Sequence, residues 1–172
     1  MNASENIHLR AMEPEDLDLL YRIENDSQLW DVGVTNVPYS RYLLHDYVSS
    51  TTGDIYADRQ LRLIVELTGD QPTAIGIADI MNFDPRHRRA ELGMVIAKPF
   101  RHRGYASATI AALLRYGRQV LHLHQLYAVI GVSNTRVVTL FIKAGFAETA
   151  RLHHWLYDGQ DYDDAVVLQT IL

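Results

Sequence analysis

The stretch richest in chemistry in this 172-residue chain runs from Glu91 to Ala106, ELGMVIAKPFRHRGYA, and reads as an apolar strand passing through a short loop into a helix. Backbone N–H groups at a helix start have no intrahelical partner and sit at the positive end of the macrodipole, so such a loop binds phosphate oxygens. Gly104 permits close approach, and Arg101 and Arg103 add positive charge. Taken alone, the same residues also make a solvated loop with a turn glycine. Glu91 is the one carboxylate inside an otherwise apolar strand. Desolvation there is expected to lift its pKa and suit it to accept a proton, directly or through water. The competing reading is an ion pair with Arg88, Arg89 or another arginine, or an outward-facing strand position.

Other constellations carry less. His122 with His124, and His153 with His154, lack a nearby acid at ligand spacing, so no metal is expected. Asp158, Asp161, Asp163 and Asp164 fall where two closing strands must turn, which favours solvated turn residues over a cation site. Cysteine is absent, which excludes disulfides, thiolate metal sites and a cysteine nucleophile. With 16 basic and 21 acidic residues the net charge is −5, against the basic face that nucleic-acid binding requires. The charge is uneven: residues 86–103 hold Arg86, Arg88, Arg89, Lys98, Arg101 and Arg103 with only Glu91 as acid, a net of +5 against −10 elsewhere. Fields of opposite sign suit an anionic ligand and a cationic one on the same molecule.

These residues need a scaffold, and the patterning supplies one. Ile7 to Arg10 alternates as a strand, and Glu13 to Asp16 opens a helix with Pro14 in its first turn and Leu17, Leu20 and Ile23 facing inward. A second helix is expected over Tyr39, Leu43, Leu44 and Tyr47, closed by Gly53. Leu61 to Leu67 and Thr73 to Met81 read as a hairpin turning at residues 69–72. In the next strand Ala90, Leu92, Met94 and Ile96 share one face, and Glu91, Gly93 and Val95 the other. A helix over 104–118, a strand over 125–131, a helix from Asn134 to Ala144 stopped by Gly145, and strands over 146–157 and 164–171 complete the order. No repeat or linker divides residues 1–172, so one α/β (α+β) domain with a mixed sheet is expected. The first residues show no leader pattern and no run of about 18 apolar residues occurs, so a soluble cytoplasmic protein is expected, with no membrane partner.

Arg101, Gly104 and Ala106 after an apolar strand resemble the (Gln/Arg)-x-x-Gly-x-(Gly/Ala) loop of the GCN5-related N-acetyltransferases. Val132, Ser133 and Asn134 followed by Leu140, Lys143, Gly145 and Phe146 are similar to that family's fourth-helix signature. Arg89 to Gly93 and the tail pattern Gly159, Tyr162, Asp164 resemble the branch of ribosomal-protein N-terminal and spermidine N-acetyltransferases. The resemblance spans nearly the whole chain, with its motifs in order. It implies a mostly antiparallel sheet of about seven strands flanked by four helices. The strands ending near Ile96 and Gly131 would splay to admit the pantetheine arm of acetyl-coenzyme A.

The implied cofactor contacts are the backbone of Met94, Val95 and Ile96, the loop residues Arg101, His102, Arg103, Gly104, Tyr105 and Ala106, and Asn134 and Phe141. Val95 is expected to hold the thioester oxyanion through its N–H, and Glu91 to take the ammonium proton. Trp30 and Tyr39 are the expected acceptor contacts. Many members carry a tyrosine seven residues after the asparagine to protonate the departing thiolate; that position here is Phe141, which has no proton to give. Spermidine enzymes carry an acidic pair before the Pro of the loop after the first helix, whereas Asn36 and Val37 precede Pro38 here. That difference speaks against a polyamine, so the expected reaction is acetyl transfer to a primary amine, a peptide N-terminus or a small-molecule amine, with a polyamine as the subordinate alternative. The alternatives are an acyl-coenzyme A binding module without turnover, for which Phe141 speaks, and a phosphate- or nucleotide-binding domain, against which Asn134 speaks. A homodimer is the expected assembly.

Overall fold

A computed structural model describes residues 7–30 and 37–172. Strand β1 (Ile7–Ala11) leads through a 3-10 turn at Pro14–Asp16 into helix α1 (Leu17–Glu24). Glu13 caps that entry in a reciprocal box with Asp16, whose carboxylate also accepts from Arg10 at 2.7 and 2.8 Å. Helix α2 (Arg41–Ser50) starts at Ser40, whose Oγ accepts from the Leu43 N–H. A one-turn helix α3 (Ile55–Asp58), too short for any periodic signal, is held by the Asp54 side chain. Strands β2 (Leu61–Leu67), β3 (Thr73–Asp84) and β4 (Arg89–Ile96) follow, then α4 (Tyr105–Gln119), β5 (Gln125–Gly131), α5 (Thr135–Lys143), β6 (Ala147–Tyr157) and β7 (Tyr162–Ile171).

The seven strands form one sheet in the order β1-β2-β3-β4-β5-β7-β6. Every neighbouring pair is antiparallel except β4 and β5. The alternation read in β4 decides which layer each residue meets. Ala90, Leu92 and Ile96 are buried with Ile110 and Leu113 of α4 and Phe141 of α5. Val95 turns to the opposite face with Ile64 and Ile77, under Leu19, Leu20 and Ile23 of α1 and Leu44 of α2. Each such Leu or Ile, removed from water, contributes about 1.5–3 kcal/mol, so both helical layers are held on by burial.

The element order expected from the sequence stands, with α3 added and β3 carried beyond Met81. That extension passes through an irregularity between Met81 and Asp84, where Asn82 takes a left-handed conformation at φ 48°. Helix α2 ends at Ser50, and Gly53 lies just past it rather than at its last turn.

Candidate active site

Strands β4 and β5 pair over only three rungs, Arg89 with Gln125, Ala90 with Leu126 and Glu91 with Tyr127. Beyond the Glu91–Tyr127 rung they part, leaving a wedge that opens toward their C-terminal ends. Backbone directions in β4 follow from its other neighbour. The Ala97 N–H donates to the Ile75 carbonyl at 2.8 Å across the β3 pairing. By the alternation of an antiparallel ladder, Val95 also turns its N–H and C=O toward β3, while Met94 and Ile96 turn theirs into the wedge. This corrects the expectation for Val95: its N–H belongs to the sheet, and the groups offered to a ligand are those of Met94 and Ile96. Side-chain alternation was legible in the sequence; the direction of the N–H groups required knowing which neighbour β4 bonds. The Ile96 carbonyl is already taken by Arg101 Nε at 2.7 Å.

The loop after β4 makes a 3-10 turn at Lys98–Phe100 and reaches Gly104 at φ 83°, which serves as N-cap of α4 without any side-chain cap bond. The N–H groups of Tyr105 and Ala106 therefore face outward at the first turn of a 15-residue helix, at the mouth of the wedge. Arg101 braces the loop, and Arg103 is exposed with no partner among the described residues. His102, at φ 65°, meets the Arg136 guanidinium across the mouth at 2.8 and 3.3 Å. Arg136, on the first turn of α5, escaped the sequence reading because nothing local links it to a loop 34 residues earlier. The +5 segment is divided: Arg88 bonds the His122 carbonyl and Arg89 pairs with Asp84 at one end of β4, while Lys98, Arg101 and Arg103 lie at the other. At about 3.3 Å per residue those ends are roughly 25 Å apart, so only the second group serves the mouth.

Asn134 caps α5 through its Oδ1, which accepts from the Val137 N–H at 3.4 Å, and its amide nitrogen makes no hydrogen bond among the described residues. Phe141 is 3 % exposed and packs edge-to-face on Phe146 at 4.9 Å. Its ring belongs to the core cluster that also holds Ile96 of β4 and Ile130 of β5. The Ser133 N–H donates to Asp163 at 3.1 Å and its hydroxyl interacts with the same carboxylate, holding that carboxyl below its usual range. Of the other hairpin acids, Asp158 is a turn residue that accepts from the N–H groups of Gln160 and Asp161, whereas Asp164, like Asp163, lies on β7 rather than in the turn expected for it, and accepts from the His154 N–H and the His153 ring.

Glu91 stands on the α1/α2 face at the vertex of the wedge. Arg88 and Arg89 are engaged elsewhere, and its carboxylate accepts from Asn82 Nδ2 at 2.7 Å. Tyr127, its partner on the last rung, has a half-buried phenol that interacts with both Asn82 and Glu91. Burial and the Glu91 charge together push that phenol above its usual value. Asn82 reaches this position because of the irregularity in β3, which no sequence pattern marks. Between Glu91 and Val95 the same face carries Gly93, where an added Cβ would meet only the Met81 Cε at 3.0 Å and the Asp79 Cβ at 3.7 Å. An open groove of about 460 Å³ continues from Asn82 and Tyr127 past Asp84, Arg89, Gln125 and Gln169. Trp30 and Tyr39 are tied to α1, Trp30 through Nε1 to the Glu24 carbonyl and Tyr39 through its backbone to Asn25. Asn36 lies outside the described residues, and Val37 is exposed.

The arrangement offers an extended amide-bearing ligand two inward-turned strand groups, an anion-binding helix start beyond them, and a carboxylate at the far end. About five residues of β4 separate Glu91 from Ile96, roughly 17 Å, a span comparable with an extended pantetheine arm. The residues thus fit acetyl-coenzyme A. Among the described residues no group of three His, Asp or Glu side chains is placed to hold a metal, and no helix is long and apolar enough to cross a membrane.

Residues 6–147 match the model of the acetyltransferase (GNAT) domain. The chain is 25% identical to the spermidine N(1)-acetyltransferase of Escherichia coli (strain K12) over 167 residues, covering 96% of this chain and 86% of that protein. It is 27% identical to the putative ribosomal N-acetyltransferase YdaF of Bacillus subtilis (strain 168), covering 93% and 88%. Among solved structures, the spermidine N-acetyltransferase of Vibrio cholerae in complex with CoA and spermine superposes with a TM-score of 0.87 at 24% identity, over 97% of this chain and 96% of that one. With the wedge, the uncapped helix start and the motif order in place, the chain belongs to the GNAT acetyltransferase family and is an acetyl-coenzyme A-dependent N-acetyltransferase.

Proposed function

We propose that the acceptor is a polyamine-type primary amine, which attacks the thioester directly in a ternary complex after Glu91 takes its ammonium proton. The observation that carries this reading is the partnership of Glu91. Its carboxylate is held by an amide rather than neutralised by arginine, at the vertex where the reactive end of an extended cofactor would arrive. Such a carboxylate can accept a proton and attract a cationic acceptor. The spermidine-acetylating relatives support the polyamine class. In this reading the phosphates lie against Tyr105, Ala106, Arg101, Arg103 and Gly104, with His102 and Arg136 beside them. Asn134 meets the pantetheine arm through its amide nitrogen, and Met94 or Ile96 donates to the oxyanion in place of Val95. Trp30 and Tyr39 shape the acceptor side of the pocket. The setting is cytoplasmic. The chain self-associates along β6, an edge strand that exposes Trp155 and Tyr157.

The test is thiol release from acetyl-coenzyme A with spermidine, spermine, peptides with free N-termini and small amines. Turnover with polyamines at least about tenfold above peptides supports the reading. Preference for peptide N-termini overturns the polyamine assignment, and tight coenzyme A binding without release under any acceptor favours the binding module that Phe141 suggests. Sedimentation showing only monomer at micromolar concentration removes the self-association.

A further inference from the structure

The transferase reaction must end with a proton on the departing thiolate, and Phe141 of α5 offers none: it has no hydroxyl and its ring is buried against Phe146. Ser133 is engaged by Asp163 at the far end of β5. One phenol stands at the vertex. Tyr127 occupies the last paired rung before the strands part, on the same face as Glu91, with Asn82 between the two side chains' polar ends. Asn82 is held there by a left-handed backbone at φ 48°, a conformation that asparagine adopts more readily than other non-glycine residues.

We infer that Tyr127 is the catalytic acid that protonates the coenzyme A thiolate, and that Asn82 is a positioning residue holding Glu91 and Tyr127 as one proton-handling unit. The inference rests on Glu91 being the base. The balance closes within the unit. Glu91 takes one proton from the ammonium, and the neutral amine nitrogen forms its bond to the thioester carbon. As the carbon–sulfur bond breaks, the electron pair leaves on sulfur and the Tyr127 hydroxyl gives that sulfur its proton. The protonated Glu91 returns its proton to the Tyr127 oxygen, directly or through one water, and the new amide sheds its second nitrogen proton to solvent. Burial and the Glu91 charge raise the proton affinity of the resting phenol, and protonation of Glu91 by the ammonium removes the second of these causes before the thiolate forms, so the hydroxyl becomes the better donor at that moment.

The experiment compares steady-state kinetics of Tyr127→Phe, Glu91→Gln and the enzyme carrying 3,5-difluorotyrosine at position 127, each first shown by thermal unfolding to be folded. Loss of a general acid costs about 10²-fold or more in kcat, with KM for acetyl-coenzyme A unchanged. The fluorinated enzyme keeps the ring and its packing but has a more acidic phenol, so the alkaline limb of its kcat profile is expected to move to lower pH. If Tyr127→Phe fails to fold, the fluorinated enzyme alone decides. Full kcat in Tyr127→Phe, or an alkaline limb indifferent to fluorination, overturns the assignment of Tyr127 while Glu91→Gln still lowers turnover. An unaffected Glu91→Gln instead overturns the base on which the unit rests. Asn82→Ala is expected to lower kcat and displace both limbs of the profile; a loss of stability alone would leave it a structural residue.

Discussion

Gly104 concentrates the phosphate-binding argument in one residue, and Gly104→Ala tests it. The residue sits at φ 83°, where a Cβ costs about 1–2 kcal/mol, and no side chain caps the helix it begins. For a domain of this size that corresponds to a fall of roughly 2–8 °C in Tm. Relieving the strain would turn the backbone toward negative φ and rotate the N–H groups of Tyr105 and Ala106 away from the mouth. Losing one hydrogen bond to a phosphate oxygen is worth about 1.5–3 kcal/mol, or roughly 10- to 100-fold in Kd for coenzyme A. Calorimetric titration should show this loss with coenzyme A and not with pantetheine, which lacks the phosphates. Equal weakening of both ligands, or a lower Tm with unchanged coenzyme A affinity, would refute the placement of the phosphates at this helix start.

Three further outcomes follow from the same geometry. Gly93→Leu places a side chain on the acceptor face between Glu91 and Val95, so KM for the amine should rise at least about tenfold while KM for acetyl-coenzyme A holds; Gly93→Ala, which displaces only the flexible end of Met81, should be nearly silent. Arg62 ties β2 to Asp79 on β3 and Glu24 on α1, and Arg62→Met leaves two largely buried carboxylates unpaired. Urea unfolding should register a loss of about 3 kcal/mol, and a loss below about 1 kcal/mol would show that solvent screens the network. Burial alone would raise the Asp16 carboxyl, but bonds from Arg10 and the Glu13 N–H, with the Arg10 charge, hold it below the ordinary value near 4. A lowered folded pKa contributes stability that is fully present above that ordinary value and is lost as pH falls through the folded one. Asp16→Asn should therefore lower stability at neutral pH and flatten its decline below about pH 4; an unchanged acid slope would assign that slope to other carboxylates.

The chain's local order was legible without the structure because it depends on short-range periodicity. The alternation of β4 placed Ala90, Leu92 and Ile96 on one layer and Glu91, Gly93 and Val95 on the other, and the helices of both layers followed from apolar spacing. The loop from Arg101 to Ala106 was legible for the same reason: a glycine before a helix start has a meaning of its own. What escaped depends on contacts between distant segments. Glu91 could have faced an arginine or solvent, and the Asn82 amide, delivered by an irregular turn of β3 from nine residues away, settled its partner. Val95 was the natural oxyanion donor until the bond from Ala97 to Ile75 showed which neighbour its N–H serves. Arg136 joined His102 at the mouth of the wedge only because α5 begins where β5 has turned away from β4.

Composition and spacing by themselves determined a mixed sheet, an arginine- and glycine-bearing loop before a helix start and a carboxylate in the strand before it, since each is written in residues adjacent along the chain. The tertiary structure alone decided which N–H groups face the wedge, which bases gather at its mouth and which phenol stands beside Glu91. Those outcomes are set by strand pairing and its early end, and pairing is a relation between segments that one-dimensional periodicity does not encode.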